Sequence, residues 1–415
     1  MTNLPQGWEV KKLEEIANIK GGKRLPKGEN LLDNNTKFAY IRVADFQDNG
    51  TINLQNIKFI NENTYNVLKN YKIYDDNLYV SIAGTIGKSG IIPKELNGAI
   101  LTENAVKLEY IQNNISNKFM YFFTLSSSFK TQIQTSTKIV AQPKLAITRL
   151  KQIEIPLPPL KEQERIVGIL DESFAKIDES IKILEQDLLN LDELMQSALQ
   201  KAFNPLKDNA KENYKLPQGW EWKSLGEICF ITDGTHKTPN YIEKGVPFLS
   251  VKNISKGFFD LSDVKYISLE EHNKLIKRAK PEFGDILICR IGTLGKAIKI
   301  SLEFEFSIFV SLGLLKPKVK IISDYLVYFL NSYFIEGWIN DNKVGGGTHT
   351  AKLNLNILEK CPVALPPLKE QEQIASHLDE FSSHVKNLKQ NYQAQIKDLQ
   401  ELKNSLLDKA FKGNL

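Results

Sequence analysis

The segment Leu157–Phe203 reads LPPLKEQERIVGILDESFAKIDESIKILEQDLLNLDELMQSALQKAF and predicts one long helix. Pro158 and Pro159 suit a helix entry, where a missing backbone N–H costs nothing. Glu162 and Glu164 follow in the first turn, where carboxylates favour the positive end of the helix dipole. Apolar residues then recur at alternating steps of four and three, which is a seam that requires a second helix against it. The seam consists of Leu170, Phe174, Ile177, Ile181, Leu184, Leu188, Leu191, Met195, Ala198 and Ala202.

The partner helix is predicted in the same chain, because the chain repeats itself. LPPLKEQE at 157–164 returns at 365–372, and LPQGWE at 4–9 returns at 216–221. GTIGK at 84–88 returns as GTLGK at 292–296, and both long segments end in KAF. Matched blocks in the same order indicate a duplicated half-chain of one globular domain plus one long helix. The predicted boundaries are 1–156 and 208–364 for the globular domains, and 157–207 and 365–415 for the helices.

The second helix differs from the first at its seam. Three seam positions carry polar side chains in the second copy, namely Ser382, Lys389 and Lys403. We expect neighbouring apolar residues to form its packing face instead, with a change of register near Tyr392. These neighbours are Phe381, Leu388 and Leu402.

Each globular domain combines strand and helix signals. Short runs rich in β-branched and aromatic residues end in turn signals and predict strands, for example 38–43 and 77–82, with 247–251 and 286–291 in the second copy. Helical patterns lie between them at 269–279 and 325–340. The predicted fold class is therefore α+β. Two pseudo-repeated globular domains are joined by two long antiparallel helices that form an intramolecular coiled coil.

Composition limits the class of protein. A chain of 415 residues with 42% hydrophobic content supports more than one core. Cys229, Cys289 and Cys361 are too far apart for a metal-binding CxxC pair and suggest free thiols in a reducing compartment. No signal-peptide pattern and no run of 18 apolar residues is present, so we expect a cytoplasmic protein without a membrane partner.

The positive charge is concentrated outside the helices. The segment 161–203 has 5 Lys or Arg against 10 Asp or Glu, and 369–412 has 7 of each. The chain as a whole has a net charge of +5, so the remaining segments carry about +10. Excess positive charge on the globular parts suits a polyanion such as nucleic acid, although solvated surface charge would look the same.

Motifs for catalysis are missing from the sequence. The turns GTIGKS and GTLGK resemble phosphate-binding loops, but a Walker A loop needs glycine six positions before its lysine, where Ile82 and Arg290 stand. No HExxH pair, GxSxG elbow, NPPY-type methyltransferase motif or compact nuclease cluster is found. We therefore assign no catalytic residue, no metal ligand and no cofactor to this chain.

The ordered set of motifs resembles the specificity subunit of type I restriction-modification enzymes. LPQGWE opens each half, and the second half continues with DGTHKTPNY, GVPFLSVKNI and FGDILICRIGTLGK. GGGTHTAKLNLNILEKCPVALPPLKEQEQI then leads into the helix. The first half has the same frame in FAYIRVADF, DDNLYVSIAGTIGK and ITRLKQIEIPLPPLKEQERI.

The resemblance implies a non-catalytic protein that binds double-stranded DNA. Each globular domain would read one half of a bipartite sequence, while the helices set the gap and dock two modification subunits. Restriction/translocase subunits would join the complex, and S-adenosylmethionine, ATP and Mg²⁺ would be used by those partners. The alternatives are a coiled-coil protein scaffold without DNA specificity, a self-sufficient nuclease or methyltransferase, and a specificity module of a related type IIB- or IIG-like system.

Candidate DNA-contacting residues are polar or basic and lie in the predicted loops, where side chains reach phosphates or base edges. In the first half they are Lys23, Arg24, Arg42, Lys88, Lys138 and Lys144. In the second half they are Thr235, His236, Lys237, Lys252, Asn253, Arg290, Lys296, Thr348, His349 and Lys352.

Overall fold

The computed structural model describes residues 4–136, 144–203, 216–345 and 351–415. The chain divides into two compact units. Unit 1 contains Met1–Leu184 and Gln393–Leu415, and unit 2 contains Glu185–Tyr392. Within the described ranges, no helix combines the length and apolarity needed to cross a membrane.

Unit 1 mixes short strands with helices, in agreement with the predicted α+β class. Its strands are β1 (Glu9–Lys12), β2 (Ala17–Gly21), β3 (Ala39–Ile41), β4 (Lys58–Phe59), β5 (Lys72–Ile73), β6 (Leu78–Ser81), β7 (Ser89–Ile91), β8 (Ala99–Leu101), β9 (Ala105–Tyr110) and β10 (Glu154–Leu157). Its helices are α1 (Leu13–Ile16), α2 (Glu62–Val67), α3 (Asn117–Leu125), α4 (Ser127–Ser136), α5 (Ile147–Leu150) and the first part of α6 (Leu160–Ala202).

Two four-stranded sheets form the centre of unit 1, with the orders β2-β9-β6-β7 and β4-β3-β8-β5. The first is antiparallel, and the second contains the parallel pair β3 and β8. All four residues of strand β6 are buried. Because successive side chains point to opposite sides of the sheet, the strand contributes to a core on each face. Leu78 and Val80 pack into a core with the phenylalanines of α3, whereas Tyr79 packs into a second core with Ile41.

Unit 2 repeats this arrangement. Its strands are β11 (Glu221–Ser224), β12 (Cys229–Asp233), β13 (Val246–Leu249), β14 (Lys265–Ile267), β15 (Ile286–Cys289), β16 (Ala297–Lys299), β17 (Ser307–Ile308), β18 (Leu312–Pro317) and β19 (Pro362–Leu365). Its helices are α7 (Leu225–Ile228), α8 (Leu269–Leu275), α9 (Ser323–Leu330), α10 (Tyr333–Asn342), α11 (Leu355–Leu358) and the first part of α12 (Leu368–Phe411). The sheet order β12-β18-β15-β16 matches β2-β9-β6-β7 of unit 1, and β11-β19 matches β1-β10. The sheet β14-β13-β17 matches β4-β3-β8, but among the described residues it has no counterpart of β5.

The helical pattern at 325–340 is two helices and not one. Helix α9 ends at Leu330 and α10 begins at Tyr333. Between them, Asn331 donates its side-chain amide to the carbonyl of Ala297 (2.8 Å) and accepts from the N–H of Ala297 (3.1 Å). Ser332 is extended at this break. A side-chain contact with β16 therefore interrupts a pattern whose apolar spacing continues through it.

The repeated LPPLKEQE motif anchors each long helix to its own globular domain through a buried glutamine. Gln163 accepts the N–H of Ser116 (2.8 Å) and donates to the carbonyl of Pro158 (2.9 Å). Gln371 accepts the N–H of Ile322 (3.0 Å) and donates to the carbonyl of Pro366 (2.8 Å). Both side chains are almost fully buried. Buried amides with satisfied hydrogen bonds fix the position of each helix start.

The repeated KAF motif ends each long helix on an aromatic cluster. In unit 1, Phe411 at the end of α12 packs 5.1 Å from Phe119 and 5.4 Å from Phe123, measured between ring centroids. In unit 2, Phe203 after α6 packs edge-on against Phe329 at 5.3 Å. Each globular domain thus holds the start of one long helix and the end of the other.

The expected change of register in α12 is wrong. Leu388 and Leu402 are 42% and 46% exposed, whereas Lys389 and Lys403 keep the seam positions and are only half-buried. In unit 2, Lys389 donates to Asp192, and in unit 1, Lys403 donates to Asp178 (2.6 Å). A lysine occupies a seam position because its apolar stem packs there while its ammonium reaches a carboxylate at the edge.

Lys403 also lies over the ring of Phe174, with its nitrogen 4.6 Å from the ring centroid. Replacing Lys403 by glutamate removes this contact and brings two carboxylates together. We expect it to lower the free energy of unfolding, and the exchange Asp178→Lys with Lys403→Glu to recover about 0.5–1 kcal/mol of the ion-pair term. A double-mutant cycle by urea unfolding measures this coupling. Additive single effects would contradict it.

Candidate nucleic-acid interface

In unit 2, five loops meet at the end of the central sheet around Arg290. The N–H of Arg290 donates to the carbonyl of Ser311 (2.9 Å), and its guanidinium donates to the carbonyls of Leu353 (3.1 Å) and Val310 (3.2 Å). The same guanidinium donates to the buried carboxylate of Asp233. Ser311 in turn accepts the N–H of Val251 at 3.1 Å. Arg290 therefore connects the loops that follow β12, β15, β17 and α10, and Ser311 connects the loop after β13 to them.

Unit 1 builds the same loop frame without the arginine. The N–H of Ile82 donates to the carbonyl of Asn104 (2.8 Å), and the N–H of Leu145 donates to the carbonyl of Ile82 (2.9 Å). These bonds match those from Arg290 to Ser311 and from Leu353 to Arg290. Ile82 itself is buried among apolar side chains. The frame is shared, but its centre is apolar in one unit and charged in the other.

In both units, the loop after the first strand of the four-stranded antiparallel sheet (β2 and β12) begins with a glycine. The reason is that two backbone segments approach closely there. A Cβ on Gly22 would overlap the carbonyl oxygens of Thr102 and Leu101, and one on Gly234 would overlap that of Ile308. The next residues, Lys23 and Thr235, each donate an N–H to the neighbouring strand segment. This close contact places Lys23–Arg24 and Thr235–Lys237 at the loop ends of the sheets.

The GTIGK and GTLGK turns each connect two antiparallel strands, β6 to β7 and β15 to β16. A Walker A loop leads from a strand into a helix, so this connection differs from a nucleotide-binding loop. Both glycines of each turn have positive φ, between 75° and 87°, which is a conformation that glycine adopts without strain. Backbone geometry thus explains why the glycines recur in both copies.

Two predicted DNA contacts belong to matched structural caps. The side chain of Asp45 accepts the backbone N–H of Arg42 (2.8 Å), and the side chain of Asn253 accepts that of Ser250 (2.9 Å). Arg42 also grips Asp45 through its guanidinium, at 2.5 Å and 3.0 Å. Asn253 is 5% exposed. We therefore exclude Asn253, together with buried Arg290, from the DNA contacts proposed below.

Most of the other predicted residues are exposed at the loop ends: Lys23, Arg24, Lys144, His236, Lys237, Lys252 and Lys352. Lys144 and Lys352 lie at matching bridges, opposite Ala83 and Ile291. Thr235 and Lys296 are half-buried, and Lys88 is paired with Asp48 at 2.7 Å. Arg24 is paired with Glu103 at 2.9 Å. The predicted residues Lys138, Thr348 and His349 lie outside the described residues.

Asp233 and Arg278 are functional candidates that are not among the residues predicted from the sequence. Asp233 ends β12 and is 1% exposed, and its carboxylate accepts hydrogen bonds from the guanidinium groups of Arg290 and Arg278 and from the ring of His236. Burial alone would raise the pKa of Asp233, but the hydrogen bond from Arg278 and the charges of Arg290 and Arg278 lower it overall. Arg278 lies 45 residues further along the chain, so no local spacing could have connected the two.

Burial raises the pKa of the three cysteine thiols, Cys229, Cys289 and Cys361, to about 12. They are free thiols in apolar surroundings, which makes them unreactive core residues. Among the described residues, no group of three or more His, Cys, Asp or Glu side chains could hold a metal ion.

Comparison with known proteins agrees with this architecture. The family model for the type I restriction modification DNA specificity domain matches twice, at residues 5–188 and 217–398. The EcoBI and EcoKI specificity subunits of Escherichia coli are each 24% identical to this chain, over 100% and 99% of it and 88% and 90% of their own lengths. A putative type I restriction enzyme specificity subunit of Haemophilus influenzae is 26% identical over 97% of this chain and 95% of its own.

Solved structures show the same fold. One chain, from work on complex assembly and conformational transition of the type I restriction-modification system, superposes with a TM-score of 0.78 at 22% identity and covers 100% of both chains. The HsdS subunit of Thermoanaerobacter tengcongensis superposes with a TM-score of 0.57 at 21% identity, over 99% of this chain and 98% of its own. Because the family model matches both halves, the chain belongs to the type I restriction-modification DNA specificity family, as a specificity subunit and not as the catalytic component of such an enzyme.

Proposed function

We propose that each unit reads one half of a bipartite double-stranded DNA sequence. The observation that carries this proposal is the loop frame built twice around different central residues, Arg290 in unit 2 and Ile82 in unit 1. A shared frame supports the same mode of binding in both units. Different loop side chains on that frame suit different base sequences, because base edges in the major groove present distinct donor and acceptor patterns.

The proposed phosphate and base contacts come from the exposed loop-end cations. In unit 1 they are Lys23, Arg24 and Lys144, and in unit 2 they are Lys237, Lys252 and Lys352 with His236 beside them. Exposed lysines suit phosphate neutralisation, which supplies affinity in a salt-dependent way. Lys88, Lys296, Arg42, Thr235 and the three predicted residues outside the described ranges remain candidates for the same surface.

The long helices are proposed to pair as an antiparallel intramolecular coiled coil that sets the gap between the half-sites. Ion pairs between α6 and α12, from Asp178 to Lys403 and from Asp192 to Lys389, support that pairing. A helix of 43 residues at 1.5 Å per residue measures about 65 Å. This length is of the order of one to two turns of B-DNA, the separation that recognition on one face of the duplex requires.

The chemistry is proposed to belong to other subunits. Two modification subunits would dock along the helices, and restriction/translocase subunits would join them. S-adenosylmethionine, ATP and Mg²⁺ would bind to those partners and not to this chain. The specificity subunit then supplies the sequence preference and the geometry, which is the role that the names of its relatives describe for those proteins.

A methylation map tests the proposal. This chain would be expressed with its cognate modification subunit in a host without DNA methylation, and modified bases would be located by sequencing. We expect one split motif, with two specified halves and a fixed gap. Exchanging residues 208–364 for those of a relative with another target should change one half only. A stable complex that methylates without a split motif would contradict the proposal and favour a protein scaffold.

A further inference from the structure

We infer that Arg278 reads a base of the second half-site and that Asp233 is the residue that positions it. This inference rests on the proposed function, because it assigns a specificity-determining residue to the DNA-binding end of unit 2. The Arg278 guanidinium lies at the surface, where the buried carboxylate of Asp233 holds it.

Two hydrogen bonds to Asp233 hold the Arg278 guanidinium in place. Its Nε donates to the backbone carbonyl of Asp233 at 3.2 Å, and its Nη2 donates to the Asp233 carboxylate. The opposite oxygen of that carboxylate accepts from Arg290 and from Nε2 of His236 at 3.0 Å. Because Arg290 is itself held by two backbone carbonyls, Asp233 cannot move without disturbing the loop frame.

The exposure of the ion pair is highly asymmetric. The Asp233 side chain is 2% exposed, whereas that of Arg278 is 53% exposed. A guanidinium has five N–H donors in a planar fork, and the contacts to Asp233 use two of them. The three remaining N–H donors, two on Nη1 and one on Nη2, form the second edge of the fork, and the two bonds to Asp233 set the direction of that edge. In the described part of the chain, the Arg278 guanidinium has no other partner.

A fixed, planar, half-exposed guanidinium suits a base better than a phosphate. Arginine recognises guanine by donating two parallel hydrogen bonds to O6 and N7, which requires a defined plane. Prior orientation by Asp233 reduces the side-chain entropy that binding would otherwise cost. Flexible lysines at the same loop end, such as Lys237 and Lys352, are sufficient for phosphates.

The location supports a role in the second half-site alone. Asp233 is two residues before Thr235, which begins the exposed loop that includes Lys237. The first copy has Gly21 where the second has Asp233, and the segment 67–77 that corresponds to the region of Arg278 contains no arginine. Unit 1 therefore cannot form this pair, so its loss should alter only one half of the target.

The test compares methylation maps of the complete complex containing wild-type chain, Arg278→Lys or Arg278→Ala. Arg278→Lys keeps the charge but loses the planar fork. We expect this substitution to lower the discrimination between base pairs at one position of the second half-site by about ten- to a hundredfold. The first half-site should be unchanged. Lys280→Ala is the matched control, because Lys280 is equally exposed and only two residues away, and it should keep the wild-type motif.

Asp233→Asn tests the positioning role. We expect Asp233→Asn to lower the discrimination at the same position of the half-site. Combining Asp233→Asn with Arg278→Lys should lower it no further than Arg278→Lys alone. A purely structural pair would lower the melting temperature and leave both half-sites as specified as before, which would overturn the inference. A uniform loss of affinity for all sequences in Arg278→Ala, with a shallower salt dependence, would overturn it in favour of a phosphate contact.

These outcomes are separable from failure of the proposed function. A wild-type complex without a split motif would contradict the two-reader model itself. A wild-type split motif that survives unchanged in the Arg278 and Asp233 variants would contradict this inference alone.

Discussion

Replacing Phe411 by alanine should destabilise unit 1 by about 3–5 kcal/mol, the usual cost of truncating a buried phenylalanine. Phe411 is 5% exposed and lies against Phe119 and Phe123 of α3. Together with Leu407 and Ala410, it joins the end of α12 to the unit 1 core. Hydrogen exchange followed by mass spectrometry measures the effect, because peptides of α3 and of the end of α12 should lose protection together.

Phe203→Ala is the matched experiment for unit 2. Phe203 is 3% exposed and contacts Tyr325 and Phe329 of α9, so protection should be lost there and kept in α3. Leu402→Ala serves as a control on the same helix as Phe411, because a side chain that is 46% exposed loses little on truncation. Equal loss of protection in both units from either substitution would contradict a separate docking role for each phenylalanine.

Asp233→Ala should destabilise unit 2 by about 3–5 kcal/mol, because it leaves the buried charge of Arg290 without its carboxylate. Arg290 is 7% exposed and cannot turn to water without breaking its bonds to Val310 and Leu353. Removing both charges, with Asp233→Ala and Arg290→Met, should recover much of the loss, since unit 1 has apolar Ile82 at the same place. Urea unfolding followed by hydrogen exchange in β15 and β18 measures both variants.

The dependence on pH provides an independent check of the same ion pairs. The folded-state pKa of Asp233 is lowered, so its contribution to stability is complete above the unfolded-state pKa of about 3.9 and is lost as the pH falls through the folded-state value. The difference in stability between wild type and Asp233→Ala should therefore shrink below about pH 4. A difference that stays constant from pH 7 to pH 3 would rule out an electrostatic origin.

The local sequence pattern was sufficient to predict an element wherever the structure of that element depends on its own residues. The ten seam residues of α6 are all buried or half-buried, and the strands at 78–81 and 286–289 lie within the predicted runs. The glycines of the repeated turns recur because their positive φ is a property of the turn itself. Where a side chain met a distant backbone, pattern failed. Asn331 interrupts a helix by binding Ala297, and Lys389 and Lys403 stay in the seam because carboxylates on α6 receive them.

The sequence by itself determined the duplication, the two α+β domains, the two long helices and the family to which the chain belongs. These follow from periodicity and from repeated sequence motifs, which can be recognised without knowledge of the tertiary contacts. Only the tertiary structure decided the role of the repeated motifs. Buried Gln163 and Gln371 hold the helix starts in position, and Phe203 and Phe411 hold the helix ends. It also decided that Arg290 is a framework residue and that Arg278 stands at the surface beside Asp233. Those roles depend on contacts between residues 45 to 63 positions apart, which no local spacing encodes.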